Sequence, residues 1–215
     1  PGYFQEQGVD TSSWSFFPNG VDKEFINLSL ARRDYSQHIK TILYAGNIGN
    51  GQGLEMVLPD VAKCMGSGYR FLVIGGGSAS SKLINAIKKE NINNIEILPP
   101  VKRDKLMVHY QDADILFLHL NDIPAFKRVL PSKIFEYTAL SKPIVAGLRG
   151  YSAQFMADNV PNSIVFEPGE VEGCVDAIRK IEKLDVKNEV RDVFVKKYSR
   201  EKIMDRMAGH IFSVL

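Results

Sequence analysis

The run Ala113-Asp-Ile-Leu-Phe-Leu-His-Leu120 is apolar at nearly every position. A half-buried strand would alternate and an amphipathic helix would repeat every three or four residues. Continuous apolarity at this length is the mark of a central strand covered by helices on both faces. Shorter apolar runs recur at 41–45, 70–74, 95–98, 143–146 and 163–166. Amphipathic stretches at 53–65, 79–90, 103–111, 132–140 and 151–158 separate them, and three more, at 170–184, 189–197 and 200–214, follow the last. This alternation predicts an α/β fold: a Rossmann-like, doubly wound six-stranded parallel sheet with helices on both faces. Pro143 after Ser141-Lys142 stops the helix before it, because proline keeps the preceding residue out of the helical conformation. Ser199 before Arg200-Glu201-Lys202 reads as an N-cap, with Lys202 where a capping box would carry Glu.

Composition narrows the function. The chain has 215 residues, 27 Lys plus Arg against 25 Asp plus Glu, a net charge of +2 and 45% apolar residues. That is enough to bury a hydrophobic core without disulfide or metal staples. Near-balanced charge without long basic runs argues against a nucleic-acid partner. No apolar stretch approaches the roughly 18 to 20 residues that span a bilayer, and the start lacks a signal pattern. Cys64 and Cys174 lie far apart with no Cys or His at ligand spacing, so neither a zinc site nor a disulfide framework is expected. A cytoplasmic location fits this cysteine usage. Residues 1–39 form a lead-in of different character, 40–198 the Rossmann-like domain and 199–215 a C-terminal helix. In the lead-in, Phe16-Phe-Pro-Asn-Gly-Val-Asp22 reads as a strand edge running into a turn. A chain beginning Pro-Gly reads as cut from something longer.

Doubly wound sheets take ligands in the loops after their strands, and four of these loops have unusual composition. The first is Gly46-Asn-Ile-Gly-Asn-Gly-Gln-Gly53. Its glycines admit close backbone approach, and the helix that follows offers amides and positive dipole to a phosphate. A dinucleotide site would need an acid after the second strand, but that strand ends Val73-Ile-Gly-Gly-Gly77. Gly75-Gly76-Gly77 is explained equally well as a tight turn. In the third loop, Leu98-Pro-Pro-Val-Lys-Arg-Asp104, the prolines extend the backbone and Asp104 is placed to cap a helix. Val101, Lys102 and Arg103 there can read a base edge, unless both cations are merely solvated. The fourth, Lys127-Arg-Val-Leu-Pro-Ser-Lys-Ile-Phe-Glu-Tyr137, is the richest. Ser132 can cap and donate to phosphate, and Lys133 supplies charge. Glu136 shares their helix face and can accept from both ribose hydroxyls. The plain alternative is an intrahelical Lys133–Glu136 pair, against which stands the apolar run around Glu136. His119 ends the central strand and reads as a satisfied core histidine. His38, His109 and His210 receive no role, and Lys196 to Lys202 reads as a solvated helix junction.

Six phrases in order carry a resemblance: Phe17-Pro-Asn-Gly-Val-Asp22, Tyr44-Ala-Gly-Asn-Ile-Gly49, Phe71-Leu-Val-Ile-Gly-Gly-Gly77, Asp112-Ala-Asp-Ile-Leu-Phe117, Pro131-Ser-Lys-Ile-Phe-Glu-Tyr137 and Ser141-Lys-Pro-Ile-Val-Ala146. The chain resembles the C-terminal, donor-binding domain of the family 4 (group 1) retaining glycosyltransferases of the GT-B fold. Within that family it is most similar to the bacterial surface-polysaccharide branch with the colanic acid and O-antigen fucosamine transferases.

The resemblance implies one half of a GT-B enzyme, a hexosyltransferase-type activity in polysaccharide, O-antigen or capsule synthesis, and inactivity of this half alone. It implies a nucleotide-sugar donor, UDP-sugar in preference to GDP-sugar, and no cofactor or metal. The acceptor, a saccharide or polyprenyl-diphosphate-linked sugar, would be held by an N-terminal domain, which would also give a peripheral seat at the inner face of the cytoplasmic membrane. By similarity Glu136 matches the second glutamate of the family's paired-glutamate motif, and Arg128 stands where the first would be. Asn47 and Gln52 stand where the family carries Arg and Lys. The resemblance therefore implies catalytic work by Lys133 and Glu136. It implies donor-phosphate contacts from Gly46, Asn47, Gly49, Gln52, Gly53, Lys127, Arg128, Ser132 and Lys133, and base or ribose contacts from Gly76, Val101, Lys102, Arg103 and Glu136. A non-catalytic nucleotide-binding module and a GT-B nucleotide-sugar epimerase are the alternatives.

Overall fold

The computed structural model describes residues 2–26, 39–184 and 188–214. At its centre lie β1 (Lys40–Asn47), β2 (Tyr69–Gly76), β3 (Ile95–Leu98), β4 (Ile115–His119), β5 (Ile144–Gly147) and β6 (Ser163–Phe166). They form one parallel sheet in the order β3-β2-β1-β4-β5-β6. The helices among the described residues are α1 (Gly2–Glu6), α2 (Lys23–Ile26), α3 (Leu54–Met65), α4 (Ser80–Lys89), α5 (Arg103–Asp112), α6 (Lys133–Ala139), α7 (Tyr151–Asn159), α8 (Val171–Ile181), α9 (Asn188–Tyr198) and α10 (Arg200–Val214). The expected doubly wound α/β architecture is the one observed.

All of β4 is buried, which accounts for its unbroken apolar sequence. Leu116 and Leu118 pack into the core on one side with Tyr110, Phe135, Tyr137, Phe155 and Phe194 from the helices. Ile115 and Phe117 pack on the other with Leu54, Val57, Leu83, Cys174 and Ile178. Register follows the pleat, with Leu43 opposite both Leu72 and Leu116, and Leu116 opposite Ile144. Two buried polar residues tie the strand's approach: Asp114 Oδ2 accepts from the Thr41 amide at 2.7 Å, and Lys142 Nζ donates to the carbonyls of Gln111 and Ala113 at 2.9 and 2.7 Å. The second contact satisfies the carboxyl end of α5 with a cation, as the helix dipole favours.

Several expectations are corrected at element ends. Residues 16–22 form no strand beyond a single parallel bridge of Val21 to Ser199. Pro18 has no amide for a ladder, and Gly20 turns the chain at φ 74°. The lead-in contains α1 and α2, too short to show a period. Asp104 does not cap α5, whose N-cap position is Lys102. Ser199 does cap its helix, accepting from the Lys202 amide at 3.3 Å. The 196–202 junction is held as well as solvated: Val21 N donates to Tyr198 O at 2.7 Å and Arg200 N to Val21 O at 2.9 Å. His38 lies outside the described residues.

Candidate functional site

Winding reverses between β1 and β4, and the crevice beyond their carboxyl ends is the ligand position of such sheets. Two loops rim it, 47–53 after β1 and 120–132 after β4. They are bonded to each other: the Asn121 amide donates to Gly51 O at 2.9 Å and its side chain donates to Asn50 O at 3.0 Å. Phe126 lies over Gly51, where a Cβ would stand 2.8 Å from its Cζ. Gly53 opens α3 in the left-handed conformation at φ 58°, with the Asn121 side chain against it. Gly76 faces Pro100, 3.6 Å from where a Cβ would lie, so the second and third loops also meet.

Lys133, the first residue of α6, reaches across Gly46. A Cβ on Gly46 would stand 2.9 Å from Lys133 Cε and 3.4 Å from its Nζ. The ammonium also lies 5.4 Å from the centre of the Tyr137 ring, a cation–π contact from the next helical turn. Glu136 Oε2 is 3.5 Å from Lys133 Nζ, with both side chains about three-quarters covered (21% and 28% exposed). The glycine loop, one ammonium and one carboxylate therefore share one crevice.

Other expected residues are placed differently. Glu136 is neither buried nor unpaired: the intrahelical partner that its apolar surroundings argued against is present. Ser132 sits at the N-cap position of α6 with helical φ and makes no capping bond. The amides of Ile134 and Phe135 are taken by the carbonyls of Pro131 and Ser132 at 3.1 and 3.0 Å. Charge at this helix start accordingly comes from Lys133 more than from open amides. Gln52 closes the first loop on itself, its Oε1 accepting from Asn47 Nδ2 at 2.9 Å and from the Gly49 amide at 3.1 Å. Lys127 pairs with Asp122 at 3.6 Å, and the Arg128 guanidinium lies 3.7 Å from the centre of the Tyr3 ring. Neither reinforces Lys133 in this arrangement. Lys102 is exposed and Val101 packs on the core. Arg103 is not free to read a base: it donates to Asp22 Oδ2 at 3.0 Å, lies 3.5 Å from Glu24 and covers the Phe25 ring.

Among the described residues no group of three or more His, Cys, Asp or Glu could hold a metal ion.

The profile of the family "Glycosyl transferases group 1" matches residues 33–201. The chain belongs to the group 1 glycosyltransferases. Among curated proteins, WcaI of Escherichia coli (strain K12), named as a colanic acid biosynthesis glycosyl transferase, is 27% identical over 185 residues, covering 81% of this chain and 45% of that protein. Two solved structures share the fold. The lipopolysaccharide outer core galactosyltransferase WaaB, in its apo form, has a TM-score of 0.76 at 14% identity over 100% of this chain and 59% of its own. Anabaena HepE, solved with UDP and glucose, has a TM-score of 0.66 at 15% identity over 82% of this chain and 48% of its own. The chain thus spans about half the length of the relatives it matches.

In this group 1 glycosyltransferase chain, several residues that shape the crevice were given no role by the sequence reading. Tyr137 OH accepts from the Ala45 amide at 3.2 Å and Tyr44 OH donates to Asn47 O at 2.6 Å, pinning the end of β1. Arg149 pairs with Asp122 at 2.6 Å and with Glu167, joining the loops after β4, β5 and β6. Tyr44 and Tyr137 had a cue, since both stand in the quoted phrases and Tyr137 lies four positions after Lys133 on the same helix face; Arg149 had none. His119 is the core histidine expected. Its Nε2 accepts from the Gly169 amide at 3.0 Å, so the proton sits on Nδ1, which donates to Gln52 O at 2.6 Å. Burial lowers its pKa, and it stays neutral. Among the described residues no helix is long and apolar enough to cross a membrane.

Proposed function

We propose that this chain is the nucleotide-sugar donor half of a retaining, hexosyltransferase-type glycosyltransferase that acts in bacterial surface-polysaccharide synthesis. The proposed donor is a UDP-sugar. The acceptor, a saccharide or polyprenyl-diphosphate-linked sugar, would be held by a second domain at the cytoplasmic face of the membrane. One observation carries the reading: the Lys133 ammonium lies over the first glycine loop, with Glu136 beside it on the same helix face at the switch point. A nucleoside diphosphate leaving the anomeric carbon gathers negative charge, and a cation fixed in a closed cleft stabilises that charge. Lys133 supplies it. Glu136 accepts from the ribose hydroxyls, as an ionised carboxylate can from two donors.

Gln52 Oε1 stands where an anionic oxygen would be welcome, since it accepts from both the Gly49 amide and Asn47 Nδ2. Those two donors pass to the diphosphate when Gln52 swings aside. The fucosamine-transferase-like branch remains part of this reading, supported by the Gly-Asn-Ile-Gly and Pro-Ser-Lys phrases. A nucleotide-sugar epimerase is less favoured, because His119 is buried and already bonded at both nitrogens.

Calorimetric titration of UDP, GDP and ADP tests the reading. We expect UDP to bind, and Lys133→Ala to weaken it at least roughly tenfold, the scale of one lost charge-assisted contact. Unchanged affinity in that variant would remove Lys133 from the donor clamp.

A further inference from the structure

Asp22 joins three stretches that are distant in the chain. Its Oδ2 accepts from Arg103 Nη2 at 3.0 Å and its Oδ1 lies 3.0 Å from Arg200 Nε, with the carboxylate mostly covered. Arg103 opens α5 at the end of the third loop, and Arg200 opens α10. Each carboxylate oxygen thus holds a different helix start. The segment that carries Asp22 is itself fixed, by the bridge of Val21 to Ser199 and by Arg200 Nε, which also donates to Asn19 O at 3.1 Å. Beneath the ion pairs the Arg103 guanidinium lies 5.2 Å from the centre of the Phe25 ring. Tyr110 of α5 meets Phe25 and Tyr137 of α6 at 6.1 and 5.7 Å between ring centres, so α5 is seated between the lead-in and α6.

The loop that ends at Arg103 flanks the crevice. Pro100 meets Gly76 at the end of β2, and α5 packs over β1. On the β4 side, residues 120–132 are bonded to the glycine loop and close that flank. A nucleoside running out from a diphosphate over Gly46 therefore has the 98–103 loop as its open flank.

We propose that Asp22 is a positioning residue for the base: through Arg103 it fixes the third loop where that loop meets the nucleoside, so the lead-in shapes the nucleotide site without touching the ligand. The inference rests on the donor-site reading above and deepens it. Arg103 serves as the anchor of the loop, and contact with the base falls to the loop itself. An isolated exposed ion pair would hold a loop weakly. Here one carboxylate is shared by two guanidiniums on separate helices, and an aromatic ring lies against one of them. Loss of that single charge therefore releases both helix starts at once.

Asp22→Asn removes the charge and keeps the shape. In calorimetric titration of that variant, UDP affinity should fall roughly five- to tenfold, the scale of one hydrogen bond between charged groups. Inorganic pyrophosphate, which has no base, should bind wild type and variant equally. Arg103→Gln should lose as much UDP affinity as Asp22→Asn, and the double variant no more than either single one, because the two side chains act through one contact. Losses that add in the double variant would mean that Arg103 meets the nucleotide by itself, and they overturn the proposal. Unchanged UDP affinity in Asp22→Asn overturns it too, as does a parallel loss of UDP and pyrophosphate, the pattern of a general structural defect. A wild-type protein that binds neither ligand overturns the donor-site reading itself, and the role of Asp22 with it.

Discussion

His119 is bonded at both ring nitrogens and stacked against Phe117 with its ring planes only 7° apart, so protonation would require breaking the bond from the Gly169 amide. Burial holds its folded-state pKa below the ordinary 6.5. Above pH 6.5 the ring is neutral in both folded and unfolded chains, and its contribution to stability is complete. As the pH falls below that value the unfolded chain takes up the proton first. Stability then drops by up to about 1.4 kcal/mol per pH unit until the depressed folded value is passed. Urea unfolding at neutral pH and at pH near 5 should therefore show a larger loss for wild type than for His119→Gln, and equal losses would dismiss the assignment. At this scale the sequence was informative about identity and poor about partnership. The position of His119 at a strand end was readable, whereas its two partners, Gln52 and Gly169, lie 67 and 50 residues away. Arg103 shows the same limit, since Asp22, 81 residues away, could not be guessed from a Pro-Pro-Val-Lys-Arg phrase.

Between elements, the ends of β1 and β2 set how the crevice opens. Gly46 pairs with Gly75 in register, and a Cβ on Gly75 would collide with the Gly46 carbonyl oxygen. Gly75 also holds φ at 153°, which side-chain-bearing residues avoid. Gly75→Ala should destabilise the protein by about 1–3 kcal/mol, the usual penalty for overpacking. It should also weaken UDP binding, because Gly46 underlies Lys133. Chemical denaturation read beside calorimetry checks both, and an alanine tolerated within about 0.5 kcal/mol would mean the strand ends are looser than described. Gly75 and Gly77, both at positive φ and both without room for a Cβ, therefore have a backbone reason for being there, as the reading of this segment as a tight turn allowed. On the other side of the sheet, Arg191 donates to the carbonyls of Ala139, Phe25 and Ile26 at 2.5, 3.2 and 2.5 Å, fastening α9 to α6 and α2. A planar fork reaching carbonyls on separate segments suits arginine and not lysine.

At the scale of the molecule, the sheet order turns loops scattered over some ninety residues of sequence into one rim: 47–53, 75–77, 98–103 and 120–133 all follow carboxyl ends of strands. A ligand seated there contacts many elements at once and favours the folded state by mass action. UDP at a hundred times its dissociation constant should add about 2.7 kcal/mol of stability. For a chain of this size that is a Tm increase of roughly 5–10 °C. Differential scanning calorimetry should show the rise growing with the logarithm of UDP concentration, and a flat Tm up to millimolar UDP would count against a site in the crevice.

The amino-acid sequence by itself determined the strand and helix alternation, the parallel sheet and the nearness of Lys133 to Glu136. Those follow from local periodicity, from apolar runs too continuous for an exposed strand, and from three residues of helical spacing. Tertiary structure alone decided where each charge lies. Lys127, Arg128 and Arg103 look equivalent to Lys133 as letters, but they are engaged by Asp122, the Tyr3 ring and Asp22, while Lys133, itself paired with Glu136, lies over Gly46. The reason is physical: an ion pair or ring contact acts over a few ångströms of space, and chain order carries no record of which distant segments fall within that range.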